Sequence, residues 1–276
     1  MRIAITGANG QLGAALQDAL RREHQLIQLD HQTLDVSAAH AADALTALFP
    51  EAVIHTAALT DVDGCERNRD EAYRVNALGA KHIAQACAEL NAAMVYISTE
   101  YVFDGLKGAP YVEDDTPNPL SVYGRTKLEG ENFVRAIAPR HYIARTSWVY
   151  ARGRRNFVSR VVQLASEKQR LRMITTEHGC PTYAPDLADA LARLLRHPQY
   201  GVYHLVNEGS ASRYDFARTI LDETGRRDYP LDPIVEYPRL AKPPAYGVLQ
   251  NVRAAALGIR LRHWREALRE ALSPAS

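Results

Sequence analysis

Short apolar runs alternate with longer segments of helical periodicity in the first part of the chain. The runs are RIAIT, QLIQL, AVIHTAA and MVYIST, with HYIARTSWVY after them. Helical patterns follow the first four runs over Gln11–Arg22, Ala38–Leu48, Glu71–Leu90 and Ser121–Ile137. Continuously apolar strands are typical of a parallel sheet that helices cover on both faces. The pattern predicts an α/β protein with a doubly wound parallel sheet.

The pattern loosens after Tyr150. Helical periodicity returns over Phe157–Ser166 and Pro185–Arg196, GVYHLVN reads as a strand, and a proline-rich stretch follows. The closing segment HWREALREAL has one apolar helical face, formed by Trp264, Ala267, Leu268, Ala271 and Leu272. We expect one domain over residues 1–150, to which some later segments return, and a smaller lobe built mainly from residues 151–276.

Composition excludes several classes of protein. The 276 residues carry 33 Lys and Arg against 32 Asp and Glu, so the net charge of +1 gives no broad basic field for nucleic acid. Three cysteines without metal-ligand spacing favour neither disulfides nor zinc. No apolar run suits a signal or membrane-spanning segment. We expect a soluble, cytoplasmic protein with no nucleic-acid or membrane partner.

A glycine-rich loop joins the first predicted strand to the first predicted helix. ITGANGQLG places Gly7, Gly10 and Gly13 in the spacing G-x-x-G-x-x-G, which short-chain dehydrogenases and reductases carry. Such glycines permit a tight turn and a close approach to a diphosphate, and the helix N-terminus offers free N–H groups. The loop predicts a dinucleotide site in the first domain, and the second lobe is then expected to bind the substrate.

Two acidic residues follow the second strand. Asp30 at its end can accept hydrogen bonds from an adenosine ribose and would repel a 2′-phosphate, which favours NADH. Either Asp30 or Asp35 can instead cap a turn or the next helix. The choice between NADH and NADPH stays open on these residues.

Tyr123 and Lys127 lie four residues apart in VYGRTKLEGE and therefore share a helical face. A nearby ammonium favours the phenolate, so Lys127 is expected to lower the pKa of Tyr123 and make it a general acid–base. Ser98 and Thr99 end the fourth predicted strand, where doubly wound sheets bind ligands, and a hydroxyl there can donate to a ketone oxygen. An isolated Tyr-x-x-x-Lys is more often structural, but these features in this order favour catalysis.

With these residues assembled, the chain resembles the extended short-chain dehydrogenase/reductase superfamily and, within it, the dTDP-4-dehydrorhamnose reductase family. The similarity extends over nearly the whole chain through GANGQLG, HTAALTDVDGCE, STEYVFDG, PYVEDDTPNPLSVYGRTKLEGE, HGCPTYAPDLA and KPPAYGVLQN. It implies a Rossmann-like fold and hydride transfer from NADPH or NADH to C4 of dTDP-4-dehydro-β-L-rhamnose. The product would be dTDP-L-rhamnose.

The resemblance also implies residue roles. Thr99 would hydrogen-bond the C4 oxygen, Tyr123 would protonate it, and Lys127 would tune Tyr123 and bind ribose. Besides Tyr123 and Lys127, the expected cofactor-binding residues are Gly7, Asn9, Gly10, Gln11, Leu12, Asp30, Asp35, Val36, Ala57, Ala58, Leu59 and Thr60. The expected substrate-binding residues are Thr99, Glu100, Trp148 and Lys242.

The chain departs from the family pattern at several positions. Glu100 replaces the usual aspartate, Gly247 the usual serine, and Lys242 an arginine that could bind a diphosphate with a bidentate fork. Some members dimerise through magnesium held by glutamates, and the matching positions here are Ala15 and Pro185. We expect no metal site, and a monomer or a metal-independent homodimer.

Three alternatives remain open. A nucleotide-sugar 4,6-dehydratase or 4-epimerase would share Tyr123 and Lys127, but the dehydratase Asp-Glu pair after the threonine is absent. A related reductase would give dTDP-6-deoxy-L-talose, since the product depends on which face of the ketone meets the nicotinamide. A non-catalytic regulatory subunit, of the kind that accompanies animal methionine adenosyltransferase, would bind a partner instead.

Overall fold

The structure is a computed structural model and describes residues 1–273. Its strands are β1 (Arg2–Thr6), β2 (Gln25–Leu29), β3 (Ala52–His55), β4 (Ala93–Thr99), β5 (His141–Thr146), β6 (Val149–Tyr150), β7 (Leu171–Ile174), β8 (His178–Gly179), β9 (Thr182–Tyr183), β10 (Gly201–His204), β11 (Ala211–Ser212) and β12 (Leu231–Ile234). Its α-helices are α1 (Gln11–Leu20), α2 (Ala41–Thr46), α3 (Val62–Arg67), α4 (Arg69–Tyr73), α5 (Gly79–Glu89), α6 (Val122–Ile137), α7 (Phe157–Glu167), α8 (Ala184–Leu194), α9 (Arg213–Glu223), α10 (Val252–Ala256) and α11 (Trp264–Leu272).

A six-stranded parallel sheet forms the centre of the molecule, in the order β10-β5-β4-β3-β1-β2. The sheet order reverses between β1 and β3, which puts a crevice at their carboxyl ends. Its central strands β3 and β4 are almost wholly buried, because helices cover both faces. The predicted α/β, Rossmann-like parallel sheet is confirmed.

Two apolar cores lie on opposite faces of the sheet. One packs α1 and α8 against β1, β3 and β5 through residues such as Leu16 and Leu191. The other packs α2, α5 and α6 through Leu45, Ile83 and Val134. Each helix contributes an apolar stripe, and burying these stripes on the apolar sheet stabilises the layered arrangement.

The smaller C-terminal sheets have two strands each, β11-β8, β12-β7 and β6-β9. A third core fills this region and takes in Trp264, Ala267, Leu268 and Ala271 from the predicted apolar face of α11. β10, from the second half of the chain, pairs with β5 in the central sheet. The division into residues 1–150 and 151–276 stays a prediction; residues 274–276 lie outside the described part.

Local predictions failed at two places. HYIARTSWVY was predicted as one strand but forms β5 and β6, because Trp148 adopts a positive φ of 45° that breaks the extended backbone. The predicted helix Glu71–Leu90 is interrupted by a π-helical segment at Arg74–Leu78 that joins α4 to α5. No helix within residues 1–273 is both long enough and apolar enough to cross a bilayer.

Candidate active site

The carboxyl ends of β1, β3, β4 and β5 face a cavity of about 510 Å³. This is the edge at which open parallel sheets bind ligands. The predicted site residues that line the cavity are Gly10, Gln11, Leu12, Ala58, Thr60, Thr99, Glu100, Tyr123, Lys127 and Trp148. The structure therefore brings the predicted catalytic residues together with parts of both predicted binding sets.

The glycine loop approaches the end of β3 closely. Gly7 has a φ of +67°, and a β-carbon on it would lie 2.8 Å from the backbone nitrogen of Ala57. The positive φ and the close contact both require glycine at this position. Gly10 then caps α1 without any side-chain hydrogen bond, so the first N–H groups of the helix stay available to an anion. This loop fits the diphosphate of a dinucleotide.

The acidic residues after β2 serve different purposes. Asp30 accepts hydrogen bonds from Asn9 Nδ2 at 2.8 Å and from the backbone nitrogen of Thr33 at 2.9 Å. Hydrogen bonds from Thr33 lower the pKa of Asp30, which keeps it ionised. Asp35 accepts hydrogen bonds from the hydroxyl and the backbone nitrogen of Ser37, so it organises its own turn.

The predicted cofactor residues that do not line the cavity are Gly7, Asn9, Asp30, Asp35, Val36, Ala57 and Leu59. Val36 is buried in the core formed by α2, α5 and α6, and Ala57 packs against the same core. Leu59 lies beneath α6, where it packs against the cluster that includes Tyr123. Gly7 allows the glycine loop to approach Ala57 closely. The effect of these last four residues on a bound dinucleotide would therefore pass through the backbone that they support.

The two hydroxyl side chains at the end of β4 have separate partners. Ser98 donates to Oε1 of Glu131 at 2.6 Å, and Glu131 also binds the guanidinium of Arg145 through both carboxylate oxygens. Thr99 instead donates to Oε2 of Glu100 at 2.7 Å and accepts from the backbone nitrogen of Tyr101. Both residues line the cavity, but Thr99 is tied to Glu100 and Tyr101, whereas Ser98 anchors a buried ion pair.

Tyr123 and Lys127 lie on the first two turns of α6. The helix begins there because Ser121 caps it, accepting from the backbone nitrogen of Gly124 at 3.1 Å. The Nζ of Lys127 lies 4.1 Å from the centroid of the Tyr96 ring, which holds the ammonium over an aromatic face. Both predicted catalytic side chains are almost completely buried, so water would not screen their charges.

Burial controls the protonation of this pair. It raises the pKa of Tyr123, to which the nearby Glu100 carboxylate adds, while hydrogen bonding with Thr99 opposes the rise. It lowers the pKa of Lys127 to about 7, and Glu131 opposes that fall. The expected lowering of the Tyr123 pKa by Lys127 is not found: desolvation of the phenolate dominates, and Lys127 is not among the groups that shift this pKa. Tyr123 is accordingly protonated at neutral pH, the form that a proton donor requires.

Trp148 also lines the cavity, and its backbone has a positive φ of 45°. Its indole lies against Gly179, where a β-carbon would come within 2.5 Å of the ring. The guanidinium carbon of Arg213 stacks 3.5 Å from the centroid of the indole on the cavity side. A backbone held in this unusual conformation by its surroundings is typical of functional sites.

Other predicted residues lie elsewhere. Lys242 is exposed and does not line the cavity. Ala15 packs against the core beneath α1, and Pro185 is exposed at the start of α8. No cluster of three or more metal-ligating side chains occurs among residues 1–273. The absence of a metal site and the oligomeric state stay predictions.

Sequence reasoning missed three residues that organise the site. Arg213 lines the cavity, Glu131 holds Ser98 and Arg145, and Asn156 donates from Nδ2 to Oε1 of Gln11 at 2.9 Å. Asn156 also caps α7, and a capping pattern was the only local signal that any of them carried. Their partners are distant in sequence, so only the fold identifies them.

The chain matches known proteins over its full length. The family model described as the RmlD substrate binding domain matches residues 1–276. The spore coat polysaccharide biosynthesis protein SpsK of Bacillus subtilis is 40% identical over 278 residues, covering 100% of this chain and 98% of SpsK. The dTDP-4-dehydrorhamnose reductase of Mycobacterium tuberculosis strain H37Rv is 39% identical, covering 99% and 92% of the two chains. A crystal structure of the Bacillus anthracis dTDP-4-dehydrorhamnose reductase in complex with NADP superposes with a TM-score of 0.93 at 35% identity, covering 98% and 97%.

Proposed function

The chain belongs to the RmlD family of NAD(P)-dependent nucleotide-sugar reductases, and we propose that within it the protein reduces dTDP-4-dehydro-β-L-rhamnose to dTDP-L-rhamnose. The observation that carries the proposal is the convergence of Thr99, Tyr123 and Lys127 with the glycine loop and Trp148 around one cavity. The full-length similarity to named dTDP-4-dehydrorhamnose reductases supports the choice of sugar.

The proposed reaction adds a hydride and a proton across the C4 carbonyl. A bound nicotinamide cofactor would supply the hydride to C4. On substrate binding the Thr99 hydroxyl would turn from Glu100 to the carbonyl oxygen and orient it by a hydrogen bond, and Tyr123 gives its phenolic proton to that oxygen as negative charge develops there. Lys127 stabilises the resulting phenolate and holds the ribose. The ketone thereby becomes a hydroxyl, and the tyrosine is reprotonated from solvent.

We take NADPH as the reductant and NADH as the alternative. The similarity to a reductase solved with NADP supports the first. Asp30 favours the second, because its ionised carboxylate would repel a 2′-phosphate. The dinucleotide itself fits the chain because Gly7 allows close approach and Gly10 leaves the N–H groups of α1 free.

The deciding experiment incubates the purified protein with dTDP-4-dehydrorhamnose and either NADPH or NADH, follows cofactor oxidation, and identifies the sugar by NMR. dTDP-L-rhamnose establishes the reaction and the preferred cofactor together. A 6-deoxy-L-talose product keeps the mechanism and changes the stereochemistry. Cofactor binding without oxidation would reject this substrate and favour another keto-sugar or the regulatory role.

A further inference from the structure

Arg213 places a positive charge in the active-site cavity that its neighbours neutralise only in part. It is the first residue of α9 and lines the cavity together with Thr99 and Lys127. Within residues 1–273 the only carboxylate within 4.0 Å of its guanidinium is that of Glu177, whose Oε2 lies 3.9 Å from Nε. That separation is too long for a hydrogen bond.

Glu177 is already committed to a second arginine. Its Oε1 makes a closer ion pair with Arg239, so two guanidinium groups share one carboxylate. The side chain of Glu177 is only 9% exposed and that of Arg213 19% exposed, so solvent screens this charge poorly. Glu100, which also lines the cavity, interacts electrostatically with Arg213 and offsets part of its charge, although burial raises the pKa of Glu100. Arg213 therefore has no carboxylate partner that it does not share with another group.

Arg213 hydrogen-bonds the side chain of Tyr101, which leaves its other donors usable. The flat guanidinium stacks on the indole of Trp148, 3.5 Å from the ring centroid, and its carbon is 5.1 Å from the centroid of Phe157. Stacking occupies the face of a guanidinium, whereas its N–H groups point outward in the plane. The backbone nitrogen of Arg213 is fixed as well, donating to the carbonyl of Glu177 at 3.0 Å. Such a rigid planar donor suits two oxygens of one phosphate.

We propose that Arg213 binds the diphosphate of the nucleotide-sugar substrate, at the phosphate next to the sugar. This rests on the proposed function, in which Trp148 contacts the sugar, because the phosphate is the group that follows the sugar along the substrate. Lys242, which the family resemblance implied for this contact, is exposed and outside the cavity lining. Arg213 thus takes the role of anion anchor, and Glu177 with Arg239 hold it in place.

Calorimetric titration of dTDP and of inorganic pyrophosphate separates this role from catalysis, since neither probe turns over. The variants are Arg213→Gln, Arg213→Lys and, as a matched control, Arg265→Gln, which removes an arginine stacked on Trp264 away from the cavity. We expect Arg213→Gln to weaken dTDP binding about 10- to 100-fold, the range for a charge-assisted contact, with Arg213→Lys intermediate and Arg265→Gln unchanged. Cofactor binding should stay as in the wild type, which shows that the variant is folded.

Each result has one meaning. Equal dTDP and pyrophosphate affinities in Arg213→Gln and the wild type would overturn the proposal and leave the reductase function standing. If the wild type binds pyrophosphate but not dTDP, and Arg213→Gln loses pyrophosphate, the anion site stands and the thymidine nucleotide is wrong. Failure of the wild type to bind either probe would overturn both.

Discussion

The side chain of Glu100 packs closely against Gly247. A β-carbon on Gly247 would lie 3.0 Å from Cγ of Glu100 and 3.2 Å from Cγ of Pro244. Glu100 and Gly247 are both departures from the family pattern, and the structure places them against each other. Glu100 lines the cavity, so a change at residue 247 would act on the cavity through Glu100.

Gly247→Ala should consequently push Glu100 away from Thr99 and lower both stability and turnover. In a Glu100→Ala background the same change should cost less, because the Cγ that it meets is gone. We expect a coupling free energy of about 0.5–3 kcal/mol from a double-mutant cycle measured by urea unfolding. Additive effects, with no coupling, would show that the contact between residues 100 and 247 does not change the free energy of unfolding.

Tyr123→Phe should lower turnover by about two orders of magnitude or more, because it removes the proposed proton donor. Cofactor affinity, followed by fluorescence titration, should change little. Tyr203→Phe is a suitable control, since it removes a buried tyrosine hydroxyl that donates to the Gln199 carbonyl on the far strand of the sheet. A Tyr123→Phe enzyme with near-wild-type turnover would remove Tyr123 from the mechanism.

Lys127 should make cofactor binding depend on pH near neutrality. Its pKa is lowered to about 7, so the ammonium is present below that pH and is lost above it. We expect the affinity for NADPH or NADH to fall as the pH rises from 6 to 8. Lys127→Met should weaken binding at pH 6 by roughly tenfold, the value of a charge-assisted hydrogen bond, and should abolish this pH dependence. A wild-type affinity that stays flat across the range would argue against the ribose contact.

Two buried histidines should make the protein sensitive to mild acid. Burial lowers the pKa of both His55 and His204 to about 3, while their unfolded value is 6.5. Their contribution to stability is complete above pH 6.5. It is lost as the pH falls toward 3, because both histidines bind protons in the unfolded chain but stay neutral in the folded chain. Each histidine should add about 1.4 kcal/mol per pH unit to the slope of unfolding free energy below pH 6. His55→Asn should remove about half of that slope, and an unchanged slope would contradict the prediction.

The oligomeric state should not depend on magnesium. At the positions where some family members carry bridging glutamates, this chain has Ala15 and Pro185. We expect light scattering to give the same mass before and after treatment with a chelator. A dimer that dissociates with chelator and reforms with magnesium would contradict the prediction.

How far the sequence predicted the site depended on how local each signal was. Tyr123 and Lys127 could be paired because one helical turn separates them, and Gly7 because it sits between a strand and a helix. Glu100 and Gly247 could be identified as unusual but not as neighbours, since the 146 residues between them in the sequence carry no distance information. Arg213 had no signal at all: its stacking on Trp148 exists only because α9 and the break after β5 meet in the folded protein.

The position of β10 has a consequence for synthesis on the ribosome. β5, at residues 141–146, has no partner on its outer edge until residues 201–204 have emerged. For that interval the growing chain exposes an unpaired, apolar strand edge, the kind of surface that recruits other chains. Nascent protein should therefore be most vulnerable to aggregation over a stretch of some sixty residues of translation, and a pause or truncation within that window should be more harmful than one after it.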